Sequence, residues 1–257
     1  MGCSYSKSSF SPNDKFVGQN KICYDILLDL GISSEDIDIF YIAFSDIDAN
    51  SSGFVRIDEL TSYFKIPENS FTSYIFEIFD FKKVHELNFI QFCFSIWNFL
   101  SSFDIALFCF KIADKALELT ISVNELKYAL EVIHNCKLEK SFLYPLYKSF
   151  VGTLKDSLTV KLQSFLDWCE KNSAIIGPVY VLQKLFRTRI LGESYWVKTA
   201  VNRTNNPNTS DYKYTLSVIE QLKKIDNDHN TDLEKNEFYN KSKNLIGIKK
   251  DKGLLCY

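Results

Sequence analysis

The chain has 257 residues, a formal net charge of −2 and a pI near 6.0, so it lacks the basic excess with which a protein grips nucleic-acid phosphates. The 22 Phe and 14 Tyr against a single Met predict an aromatic interior, and only 5 Pro and 9 Gly leave few helix breakers. Seven Cys at irregular spacing, with no secretory leader and no Cys/His cluster of zinc spacing, predict reduced thiols in the cytosol.

The chain opens MGCSYSK. Gly2 followed by Ser6 fits the N-myristoylation pattern, and Cys3 beside it suits palmitoylation. One myristoyl chain binds a membrane with a constant of only about 10⁴ M⁻¹, whereas two acyl chains anchor stably. Residues 1–20 are therefore expected to be a flexible, acylated segment at the cytoplasmic face of a membrane, most simply the plasma membrane. The plainer alternative is a Ser-rich tail that matches by chance.

Residues 43–60 read AFSDIDANSSGFVRIDEL. Counting Asp48 as position 1 puts Asn50 at 3, Ser52 at 5, Gly53 at 6, Phe54 at 7, Val55 at 8 and Glu59 at 12. Ca²⁺ wants six to eight oxygens, and this spacing offers them. Asp48, Asn50 and Ser52 supply side-chain oxygens, Phe54 its carbonyl and Glu59 both carboxylate oxygens. Gly53 permits the sharp turn. Arg56, at position 9, is no ligand. Asp46 leaves an expanded loop open as an alternative. The stretch strongly resembles an EF-hand.

The unit recurs. A second loop starts at Asp80, with Leu87 at position 8, but Lys82, Val84 and Gln91 replace its ligands. Residues 89–110 are the most apolar run; helix–loop–helix explains them better than a membrane span, given Gln91, Asn98 and Asp104. A third loop runs from Asp114 to Glu125 with Ile121 at position 8, and Ala116 and Leu119 spoil it as a site. A fourth spans about 153–164 with Val160 at position 8, its register fixed only to within one residue. The starts fall at intervals of 32, 34 and roughly 39 residues, which marks a repeat. Loops of this kind pair through a short antiparallel contact, so the aliphatic residue at position 8 persists where ligands do not.

After Cys169 the pattern changes. Gly177-Pro178 reads as a break, followed by an amphipathic helix over 179–191 with Val181, Leu182, Leu185, Phe186 and Ile190 on one face. It reads as packing on the second pair, with a target-mimicking or membrane-surface helix as alternatives. Residues 202–211 have linker composition. A fifth loop lies in LKKIDNDHNTDLEKNEF, with Asp226, Asp228, Asn230, Asp232 by its carbonyl, Glu234 and Glu237 at positions 1, 3, 5, 7, 9 and 12. Thr231 stands at its turn, where a β-branched residue is strained.

The sequence thus predicts an all-α protein of paired EF-hand repeats with short β contacts between loops and a helical C-terminal extension. The expected segments are 1–20, a first pair in 21–101, a second pair in 102–172 and an extension in 173–257. With the MGC…SK opening, the organisation resembles the calcineurin B, calcineurin B-like and neuronal calcium sensor group. That resemblance implies Ca²⁺ as cofactor, membrane attachment through N-terminal acyl chains, and a helical segment of a dedicated kinase, phosphatase or receptor as partner, with no nucleic acid and no catalysis. Three ligand-poor central loops and the extension depart from the group. A constitutive scaffold with structural or vestigial calcium sites is the rival reading. No P-loop, GxSxG, HRD or DFG motif points to an enzyme.

Overall fold

The structure is a computed structural model describing residues 21–80, 84–114, 118–154, 158–206 and 217–222, with the side chains of 21–23, 78, 111 and 112 excepted. Gly2, Cys3 and the loop carrying Asp226, Asp228, Asn230, Asp232 and Glu237 lie outside the described residues.

The described chain is mostly helical. In order it forms α1 (Lys21–Asp29), α2 (Ser34–Ile47), α3 (Ile57–Phe64), α4 (Ser70–Phe79), α5 (Phe89–Leu100) and α6 (Ile105–Ala113). The strand β1 (Thr120–Ser122), α7 (Val123–Ile133), α8 (Tyr144–Thr153), β2 (Thr159–Lys161) and α9 (Leu162–Lys171) follow, and α10 (Gly177–Arg189) and α11 (Glu193–Asn205) complete the main body. Short polar side chains start the helices, as orphaned N–H groups require. Ser33, Asn69, Asn88 and Ser122 each accept a hydrogen bond from the first turn of α2, α4, α5 and α7, and Asp104 does so for α6.

The inter-loop contacts fall at position 8. Val55 and Leu87 form an antiparallel bridge, each N–H donating to the other's carbonyl at 2.9 Å. Ile121 pairs with Val160 at the centre of the two-stranded sheet made by β1 and β2. All four side chains are buried. The Ile121–Val160 pairing also fixes the register of the fourth loop, with Val160 at position 8. The apolar run 89–110 is divided by Ser101–Asp104 between α5 and α6, and no described helix is long and apolar enough to cross a membrane.

Aromatic residues fill the interior. Phe44 meets Phe89 and Phe92 edge-on, each at 5.5 Å between ring centroids, and Phe79, Phe99 and Phe108 pack together beneath α5. Fully burying one such ring contributes about 1.5–3 kcal/mol. One continuous apolar cluster includes residues from α1 to the helical stretch 217–222.

The C-terminal extension differs from expectation in three details. Gly177 and Pro178 open α10 rather than break the chain, because Pro in a first turn lacks an N–H that would be orphaned anyway. Residues 202–205 belong to α11 rather than to a linker. The inward face of α10 carries Val179, Leu182, Gln183, Phe186 and Arg187, whereas Val181 is 71% exposed. Two polar side chains face inward because the C-terminal end of α5 lies opposite, and its carbonyls need donors. Gln183 Nε2 donates to the carbonyls of Phe99 (2.7 Å) and Ser102 (2.9 Å), and Arg187 Nε donates to that of Leu100 (2.9 Å). Phe186 stacks on Phe64 of α3 with centroids 3.9 Å apart.

Candidate metal centre

The loop between α2 and α3 gathers the five residues singled out by spacing. Asp48 ends α2, its N–H donating to the Phe44 carbonyl, and its buried carboxylate turns back over the loop. Asp48 Oδ1 accepts from the Ser52 N–H at 2.9 Å and Oδ2 from the Gly53 N–H at 2.8 Å. Gly53 has φ +85°, a left-handed conformation that glycine adopts without strain. Ser52 Oγ lies 3.3 Å from Asp48 Oδ1 and 3.0 Å from the Phe54 carbonyl oxygen. From the far side, the buried carboxylate of Glu59 accepts from Asn50 Nδ2 at 2.8 Å through Oε1, and from the Arg56 N–H at 3.0 Å through Oε2. Direct short contacts thus join positions 1, 5 and 7 in one group and positions 3 and 12 in another. Asp46 lies within α2 with its side chain exposed, so the twelve-residue count from Asp48 describes the loop and the expanded alternative does not.

The donor set suits a hard cation. It offers two carboxylates, an amide oxygen, a hydroxyl and a backbone carbonyl, all oxygen and all within one turn of chain. Among the described residues no three His, Cys, Asp or Glu side chains converge, so a site here draws three of its five residues from Asn, Ser and backbone. The Arg56 guanidinium pairs with Asp58 at 3.2 Å and also reaches the Glu59 carboxylate at 3.9 Å.

The second loop keeps the frame without the ligands at positions 3, 5 and 12, and the third keeps it with Ala116 at position 3 and Leu119 at the turn. Asp80 accepts from the Val84 N–H (3.1 Å) and the His85 N–H (2.6 Å); Asp114 accepts from the Glu118 N–H (2.9 Å) and the Leu119 N–H (2.9 Å). His85 and Leu119 hold the left-handed turn at φ +62° and +59° without glycine. At position 12, Gln91 and Glu125 accept from the N–H of Asn88 (2.9 Å) and Ser122 (2.6 Å), as Glu59 does from Arg56. Asp at position 1 thus has a structural task that does not depend on metal: it satisfies two backbone N–H groups in a tight turn. Spacing alone assigns Asp48 only as a ligand; the persistence of Asp80 in a loop with Lys82, Val84 and Gln91 at positions 3, 5 and 12 is the signal of this second role.

Comparison with protein-family models and with curated proteins returns no match for this chain.

Proposed function

We propose that the chain is a calcium-binding protein of the EF-hand type, held at the cytoplasmic face of a membrane by acylation of Gly2 and Cys3, that serves a dedicated partner as a regulatory adaptor. The observation that carries this reading is that Asp48, Ser52 and the Phe54 carbonyl are in mutual contact, and Asn50 meets Glu59, within one loop paired to its neighbour at position 8. Bound Ca²⁺ would supply the positive charge that lets two carboxylates share one small loop. Asp48 would hold the end of α2 and Glu59 the start of α3, so both flanking helices feel the site. On this reading the next three loops are structural partners. The loop Asp226–Glu237, with five carboxylate side chains, four of them at side-chain ligand positions, is a second candidate site.

A route outward from the first loop runs along α3. Phe64, at its far end, stacks on Phe186, and Arg189 donates to the Tyr63 carbonyl at 3.4 Å. A change at Glu59 therefore meets the C-terminal helices little more than one helical turn away. The rival reading, a constitutive scaffold, draws support from the same region, because buried Gln183 and Arg187 tie α10 to the α5 carbonyls.

Three measurements on the full chain test the proposal. Equilibrium dialysis with radioactive calcium should count two sites, and Glu59→Gln should remove one. An apolar dye should gain fluorescence with Ca²⁺ if the chain is a sensor; no gain with both sites filled selects the scaffold. An N-terminus free of acyl groups by mass spectrometry removes the membrane part of the account.

A further inference from the structure

The helix α5 ends where the first two loops give way to the next two, at the junction Ser101–Asp104. The last carbonyls of a helix have no partner within it, and a buried end must find donors elsewhere. Here the donors come from about 80 to 105 residues further along the chain. Gln183 serves Phe99 and Ser102, and Arg187 serves Leu100. Arg203 Nη1 donates to the Asn98 carbonyl at 3.1 Å and to Ser101 Oγ at 3.0 Å, and its Nη2 donates to Asn98 Oδ1 at 2.9 Å. The Arg203 guanidinium also lies over the Trp97 ring, 4.3 Å from its centroid. Glu193 holds Arg187 from behind at 3.3 Å. Two guanidinium groups therefore sit at the negative end of the α5 dipole, the favourable sign.

We propose that Gln183, Arg187 and Arg203 form a clamp by which the two C-terminal helices fix the junction between the two loop pairs. The clamp is polar and directional, so it specifies where α5 ends and α6 begins in a way that apolar packing alone does not. It works whether or not the first loop takes calcium. Losing it frees residues 98–102 first and loosens Phe103 beside them, because the carbonyls of Asn98, Phe99, Leu100 and Ser102 depend on the three side chains while α5 and α6 keep their own internal hydrogen bonds. Phe103, 48% exposed within the junction, reports on that release.

Chymotrypsin applied to the full-length folded chain tests the clamp. In the Arg187→Gln, Arg203→Gln double variant the bond after Phe103 should be cut at least ten-fold faster than in the wild type, at unchanged helical circular dichroism, giving one pair of fragments by mass. Arg203→Lys, which keeps the charge and loses the fork, should fall between them. If the double variant does not fold, Arg203→Gln alone decides, since that side chain is only partly buried. Cleavage after Phe103 at the wild-type rate overturns the proposal. So does simultaneous cleavage at aromatic residues throughout the helices, which would assign the three side chains to the general core.

Discussion

Asn50 Nδ2 donates to Glu59 Oε1 across the first loop at 2.8 Å, so positions 3 and 12 face each other directly. The amide presents its nitrogen to the carboxylate, and coordination of a cation would require its oxygen instead. Asn50→Asp separates the two roles. Without added calcium, two carboxylates about 3 Å apart repel by more than the ~1 kcal/mol that unit charges feel at 4 Å in water. Urea denaturation in a chelator should show a loss of about 1–2 kcal/mol. With calcium the third carboxylate should tighten binding by about ten-fold, or roughly 1.4 kcal/mol. Both effects having the same sign would mean that Asn50 does not face a cation.

Asp80 is almost fully buried and accepts from two backbone N–H groups in a loop that has lost its other ligands. Asp80→Ala leaves both donors without that acceptor, at about 1–3 kcal/mol each, and should destabilise the fold by about 2–6 kcal/mol. Calcium stoichiometry should be unchanged. A lower stoichiometry would make the second loop a site.

The buried thiols give the fold an alkaline limit. Burial pushes Cys93 and Cys109 well above the ordinary thiol value of 9.0, and Cys169 up to about 12. The folded state therefore keeps protons that the unfolded state releases above pH 9. Stability from these groups is fully present below that value and is lost as pH rises toward 12, by up to about 1.4 kcal/mol per pH unit for each thiol. Urea midpoints should hold between pH 7 and 8.5 and fall beyond, less steeply in Cys109→Ala. A flat profile to pH 10.5 would contradict the burial of these thiols. Exposed Cys136 should react with iodoacetamide in the native protein, whereas buried Cys93, Cys109 and Cys169 should not.

Much of this architecture is legible in the sequence, for stated physical reasons. The aliphatic residues Val55, Leu87, Ile121 and Val160 recur because an inter-loop contact needs a buried side chain there, and that need outlasts the ligands. The turn at position 6 is less legible. Gly53 announces it, but His85 and Leu119 adopt the same left-handed backbone, held by hydrogen bonds to Asp80 and Asp114 that propensity does not reveal. Periodicity places Val181 on the inward face of α10, yet it is exposed. Periodicity seeks an apolar neighbour, whereas α10 meets a helix end whose carbonyls select Gln183 and Arg187. No local signal marks Arg203, because its partners Asn98 and Ser101 lie about a hundred residues earlier.

Calorimetric titration with Ca²⁺ of the Asp226→Asn, Glu237→Gln chain, which isolates the first loop, tests the central claim most directly. The loop offers two carboxylates, so affinity should fall in the range of about 10⁻⁷–10⁻⁵ M for one site. Adding Glu59→Gln removes charge at the carboxylate that joins the loop to α3, and the heat of binding should vanish or the site weaken by at least about a hundred-fold, near 2.7 kcal/mol. Equal heats with and without Glu59→Gln would mean that Asp48–Glu59 does not bind calcium.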